Sequence, residues 1–174
     1  MKVQQTELRG VLRIEPELVV SGVGEISEDT RGFFVETYNE EKYRVAGITT
    51  KFVEDDMSVS KKNVLRGMHG DDRTWKLITC AYGKIFFVAV CGKEGDTDFG
   101  KWQSFELSDT NRLRILVPPY YASGYAVMSD KAIVQYKQSE LFRAGGQFSF
   151  KWNDSRFGIA WPAGEWIMSA RDAT

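Results

Sequence analysis

Short runs of β-branched and aromatic residues, closed by Gly, Asn, Asp and Ser, recur along the whole chain. They read LVVSGVG, GFFVETY, TKFVEDDMSVS, NVLRGMH, WKLITCAY, KIFFVAV, KWQSFELS, RLRILVP, ASGYAVM, AIVQYKQ and QFSFKW. Apolar and polar positions alternating between turn formers predict strands. One segment departs from this: NEEKYRVAG predicts a short helix, with Gly47 as its stop. AYGKI predicts a tight turn between two strands. So many strands with so little helix predict an all-β sandwich, barrel or jelly roll. With 174 residues and no repeat or linker, one domain over 1–174 is expected.

Alternation also says which side chains share a face. Glu54, Asp56, Ser58 and Ser60 form a polar row, with Val53, Asp55, Met57 and Val59 on the other side. Polar rows on antiparallel sheets usually face solvent, so alternation favours an edge strand with this row outside. A polar barrel interior that holds a polar ligand is the alternative. Ala132, Val134 and Tyr136 share a face. Lys76 shares one with Ile78 and Cys80, either snorkelling at a strand end or lining a pocket.

Composition narrows the function. Aromatics at 13% agree with strands. A formal net charge of −1 supplies no field for duplex nucleic acid or an anionic membrane. The N-terminal MKVQQTELRG has no apolar signal core, and no apolar stretch is long enough to span a bilayer, so a cytoplasmic protein is expected. Cys80 and Cys91 sit in apolar runs and are expected to be buried thiols. There is no P-loop, no GxSxG elbow and no CxxC, and SGVGEIS lacks the third glycine of a dinucleotide fingerprint.

His69 is the only histidine, whereas catalytic metal sites usually take two or three imidazoles. No metal is expected, which leaves general acid–base chemistry. The segment NVLRGMHGDDRTWKLI concentrates the needed groups: Arg66 for a pyrophosphate, Lys76 for a developing enolate oxygen, and His69 to take a carbon-bound proton acidified by a ketone. Arg66 and His69 are three apart, so a regular strand would point them to opposite faces. A bulge at Gly67 would bring both inward.

The chain resembles the dTDP-4-dehydrorhamnose 3,5-epimerase family, nucleotide-linked 4-keto sugar epimerases with a cupin-type double-stranded β-helix (jelly roll) and a few short helices. The resemblance runs through DTRGFFVETY, FVEDDMSVSKKNVLRGMHG, KLITCAYGKIFFVAV, FGKWQSFELSDTNRLRILVPPYYASGY, QYK, KWNDSRFGIAWP and SARD. It implies that His69 is the base, Asp172 its orienter, Tyr136 the acid on the opposite sugar face, and Lys76 the neighbour of the 4-keto oxygen. Arg31 and Glu36 match nucleotide- and sugar-contacting positions, and Arg66 matches a diphosphate contact. No cofactor is implied, because the substrate carries its own electron sink. A homodimer is implied, with an N-terminal strand reaching the partner's sheet.

The departures point to the substrate. Ser123 stands where the family has a second pocket histidine. Glu54 and Asp56 replace its usual Gln and Asn, Gln147 replaces a glutamate near the nucleotide, and Arg171 replaces a lysine. HGD followed by an aromatic residue and KL is similar to the branch acting on GDP-linked 4-keto heptoses. The expected activity is epimerisation at carbon 3, carbon 5 or both of a nucleotide-diphosphate deoxyhexose or heptose, in making a surface polysaccharide sugar. The alternatives are a monofunctional 3- or 5-epimerase and a non-catalytic sugar-nucleotide-binding jelly roll.

Overall fold

In the computed structural model, residues 1–17, 24–143 and 145–173 are described. The chain runs β1 (Lys2–Gln5), β2 (Leu12–Glu15), β3 (Ile26–Asp29), β4 (Gly32–Val35), α1 (Glu40–Val45), β5 (Glu54–Lys61), β6 (Leu65–Asp71), β7 (Lys76–Tyr82), β8 (Lys84–Cys91), β9 (Trp102–Ser108), β10 (Arg114–Val117), β11 (Tyr121–Val127), β12 (Lys131–Gln138), β13 (Gln147–Ser149) and α2 (Ala170–Ala173). The expected run LVVSGVG falls, except for Gly24, outside the described residues. β1, β2 and the terminal turn α2 carry no comparable sequence signal. β1 pairs with β2 of the same chain.

Two antiparallel sheets pack face to face. One has the order β1-β2-β10-β7-β12-β5 and the other β13-β6-β11-β8-β9. This is a jelly roll of the cupin type. The inner faces supply Ile78, Cys80, Ala132 and Val134 from the first sheet, and Ile85, Phe87, Ala89 and Tyr125 from the second. The outer faces are covered as well. α1 lays Tyr43 on Leu77 and Leu116, and the C-terminal segment lays Phe157 on Met68, Val88 and Val90. Cys80 and Cys91 are buried free thiols, and burial pushes the Cys80 thiol up to about 12. Among the described residues no helix is long and apolar enough to cross a membrane.

α1 follows its sequence signals. The Asn39 side chain accepts from the Lys42 backbone N–H at 3.2 Å, a cap worth about 1 kcal/mol. Gly47, just beyond the end, has φ of +87°. The turn after β7 rests on Gly83, also in the left-handed region, where a side chain would run into the Lys131 carbonyl.

The polar row on β5 corrects the reading that alternation favoured. Ser60 is buried, and half-buried Ser58 and exposed Asp56 line the open cavity between the sheets. The outward row is the apolar one: Val53, Met57 and Val59 are 58%, 63% and 51% exposed. Period two fixes which residues share a face, but only the partner sheet decides which face is inside.

Candidate active site

His69, Lys76, Ser123, Tyr136 and Asp172 line one cavity of about 450 Å³, whose walls come from both sheets and the C-terminal segment. Asp56, Arg66 and Arg171 line it too. Arg66 and His69 share it because the pairing of β6 with β11 slips: Ser123 opposes His69, while Tyr125 opposes Arg66. Gly67 sits at this irregularity with φ of +115°, and a Cβ there would lie 2.5 Å from the Gly124 Cα. No other residue fits that approach.

His69 is held from both ends. Its Nε2 lies 2.7 Å from Asp172 Oδ1, and its Nδ1 lies 3.0 Å from Ser149 Oγ. A carboxylate only accepts, so Nε2–H donates to Asp172 and the neutral ring keeps its lone pair on Nδ1, towards Ser149. Asp172 is 6% exposed and its other oxygen accepts from the Ser169 hydroxyl at 2.9 Å. Two residues from the terminus, this carboxylate is packed and doubly bonded rather than frayed. Burial lowers the His69 pKa below its ordinary 6.5, and the charges of Arg171 and Lys76 push the same way, while Asp172 opposes them.

Lys76 begins β7 on the same face as Ile78 and Cys80 and reaches the cavity. Burial lowers its pKa, Asp71 opposes that and Arg171 adds to it. Asp71 shapes the turn ahead of Lys76 by accepting from the Arg73 and Thr74 backbone N–H groups and from the Thr74 hydroxyl. Tyr136 lies on β12 opposite Ile78 of β7, and lines the cavity together with Lys76. Burial pushes its phenol well above the usual tyrosine range and the neighbouring Tyr125 phenol pushes it the same way, while Ser58 and the charge of Arg66 pull it down.

Four expected site residues lie away from the cavity lining of this chain. Arg31 pairs with Asp29 in the β3–β4 hairpin, with 87% of its side chain exposed. Glu36 pairs with Lys42 at 2.9 Å. Gln147 is exposed on β13, opposite Asp71. Glu54 accepts from the Gln138 side chain and from the Phe142 backbone N–H, so it ties β5 to the loop after β12. Sequence reasoning did not single out Ser149, Ser169 or Tyr125. The serine inside the aromatic run QFSFKW was the available signal for Ser149.

The sequence profile of the dTDP-4-dehydrorhamnose 3,5-epimerase family matches residues 5–174. The chain belongs to this family. The Salmonella typhimurium dTDP-4-dehydrorhamnose 3,5-epimerase is 36% identical over 178 residues, covering 99% of this chain and 93% of that protein. The structure of a Legionella pneumophila dTDP-6-deoxy-D-glucose-3,5-epimerase in complex with dTDP-4-keto-L-rhamnose has a TM-score of 0.87 at 33% identity. It covers 98% of this chain and 89% of that one. The dTDP-4-dehydrorhamnose 3,5-epimerase of Elizabethkingia anophelis gives 0.86 at 36% identity, covering 100% and 94%. As a member of this epimerase family the chain is an isomerase.

Proposed function

We propose that the chain inverts carbon 3, carbon 5 or both in a nucleotide-diphosphate-linked 4-keto sugar, by proton removal at His69 and proton return from Tyr136. The observation that carries this reading is the placement of the two groups. The His69–Asp172 pair and the Tyr136 phenol sit on different sheets and face one cavity. A planar enolate held between them loses a proton to one side and receives one from the other, which inverts the centre.

The ketone at carbon 4 acidifies the neighbouring C–H bonds. Its electron pair moves to the carbonyl oxygen as the proton leaves, and the Lys76 ammonium is placed to stabilise that oxygen. His69 becomes an imidazolium whose charge Asp172 balances. A substrate proton reaches Nδ1 only when the Ser149 hydroxyl turns aside. Arg66 and Arg171 offer charge for the diphosphate. Ser123 leaves room where an imidazole would stand, which favours a larger or differently substituted sugar such as a heptose. The exposed apolar residues Met57 and Val59 on edge strand β5, with Val53 just ahead of it, favour a homodimer, since an uncovered edge of this kind invites pairing.

The test is incubation in deuterium oxide with dTDP-, CDP- and GDP-linked 4-keto sugars, with the label located by NMR. Deuterium at carbon 3 or 5 together with inversion is expected. No label in any sugar of the panel refutes the reading. If the dTDP-hexulose is turned over fastest at both carbons, the epimerase stands and the altered-pocket account of Ser123 falls.

A further inference from the structure

Ser149 sits on the lone pair of the proposed base, and the scheme above asks only that it move out of the way. Its place is set by the strand ladder. Met68 and Phe150 exchange backbone hydrogen bonds at 3.2 and 3.0 Å. The next pair along, His69 and Ser149, is therefore a non-hydrogen-bonded one, where side chains across antiparallel strands come closest. Phe148 and Phe150 pack on the outer cluster of Met68, Val88 and Val90, so alternation turns Ser149 to the His69 side. The contact is the 3.0 Å between Ser149 Oγ and His69 Nδ1. β13 is an edge strand, and Ser149 is exposed and outside the cavity lining. Asp172, on the other ring nitrogen, is buried and lines the cavity. One hydroxyl therefore touches the base on one side and solvent on the other.

That arrangement meets a need of the reaction. Each inversion leaves the substrate's proton on His69, and the base must lose it before it can act again. A substrate seated in the cavity covers the imidazole from inside. Asp172 offers no way out, because it is buried and already accepts from Nε2–H and from the Ser169 hydroxyl. We propose that Ser149 is the proton outlet of His69, a positioning residue that carries the abstracted proton from Nδ1 to solvent. Once the enolate has formed, Ser149 Oγ accepts from the imidazolium Nδ1–H. The N–H bond then breaks and a new O–H bond forms, as the proton the hydroxyl held before passes to water. The new O–H already points at Nδ1, so this step restores the neutral ring with its lone pair capped. On the other wall Tyr136 takes a proton back from water, so the enzyme ends unchanged.

The inference rests on His69 being the base, and the experiment separates the two claims. Ser149→Ala, Ser149→Thr and His69→Asn are assayed on whichever nucleotide-linked 4-keto sugar the wild type inverts fastest. Each is run in dilute buffer and again with added imidazole, a small external proton acceptor. The first turnover is followed by rapid quench, separately from steady-state kcat and KM. A positioned proton-transfer group contributes about a hundredfold or more, but His69 is itself 30% exposed and sheds part of its protons directly, so Ser149→Ala should lower kcat in dilute buffer by roughly tenfold. KM and the first turnover should stay within about twofold of wild type, because the base still starts neutral. Added imidazole should restore kcat of Ser149→Ala to within about twofold of wild type and leave the wild type unmoved, a response that a merely structural role does not give. Ser149→Thr keeps the hydroxyl and suits a strand, so it should work without added imidazole. Wild-type kcat for Ser149→Ala in dilute buffer, a loss that imidazole does not repair, an equal loss in the first turnover, or a Ser149→Thr as slow as Ser149→Ala would each overturn the role of Ser149. Near-normal exchange in His69→Asn would instead remove the base assignment, and this inference with it.

Discussion

The two walls of the cavity are built differently. Tyr136 lies in β12, which is paired along its length with β5 on one side and β7 on the other. Its neighbours Ser58 and Tyr125 belong to long strands of the same barrel. His69 also lies in a paired strand, but the groups that hold its ring come from short elements at the edge of the fold. Ser149 ends the three-residue edge strand β13, and Asp172 comes from the four-residue turn α2. The proposed acid is therefore fixed by ladders that open only with the whole fold, whereas the proposed base is oriented by segments that can open locally. Proton removal should be the fragile half of the chemistry and proton return the robust half.

The sharpest way to expose the fragile half is His69→Asn. It should lower exchange and inversion together, by about two to four orders of magnitude, while the circular dichroism spectrum stays native. Near-normal exchange in this variant would transfer the base role elsewhere. Deleting residues 172–174 comes next. Loss of the orienter should cost roughly two orders of magnitude in turnover, with Tm moved by only a few degrees, because a terminal turn carries little core. An unchanged rate would show that the bond between His69 and Asp172 is not used. On the robust side, Tyr136→Phe should slow inversion by about ten- to a hundredfold and leave exchange with retention at the affected carbon, read by NMR. If exchange collapses too, the two walls do not act separately.

The smallest effect is on pH. In the proposed role His69 acts as a neutral base, and its pKa in the fold lies below 6.5, through burial and the charges of Arg171 and Lys76 against the pull of Asp172. kcat/KM should therefore hold down to below that pH and fall as the imidazole protonates. Arg171→Gln removes a repelling charge, so the imidazolium becomes easier to form and the acid limb should move up by at most about one pH unit. A limb that stays in place, or moves down, would detach Arg171 from the base.

Much of this was legible in the chain because strand alternation and turn residues are local. The runs from TKFVEDDMSVS to AIVQYKQ became β5 to β12 with shifts of a few residues at their ends. Gly67 was legible as a bulge, since a glycine between Arg66 and His69 is the local solution for aiming both inward. The SARD match gave Asp172, although nothing in that tetrapeptide shows a buried carboxylate. Ser149 and Tyr125 were not legible. Their importance lies in what stands across the cavity from them, and sequence distance hides it: 80 residues separate Ser149 from His69, and 67 separate Tyr125 from Ser58.

By itself the sequence determined the strands, the single imidazole, and the family resemblance that paired it with a tyrosine and a carboxylate, because propensity, periodicity and residue chemistry are properties of short segments. The tertiary structure decided which row of β5 faces inside. Alternation is symmetric between the two faces, and only burial against the second sheet breaks that symmetry. It also decided that a residue near the chain end is buried beside His69, and that Tyr125 and Tyr136 line one cavity. Those are contacts between distant segments, set by how the sheets close over one another.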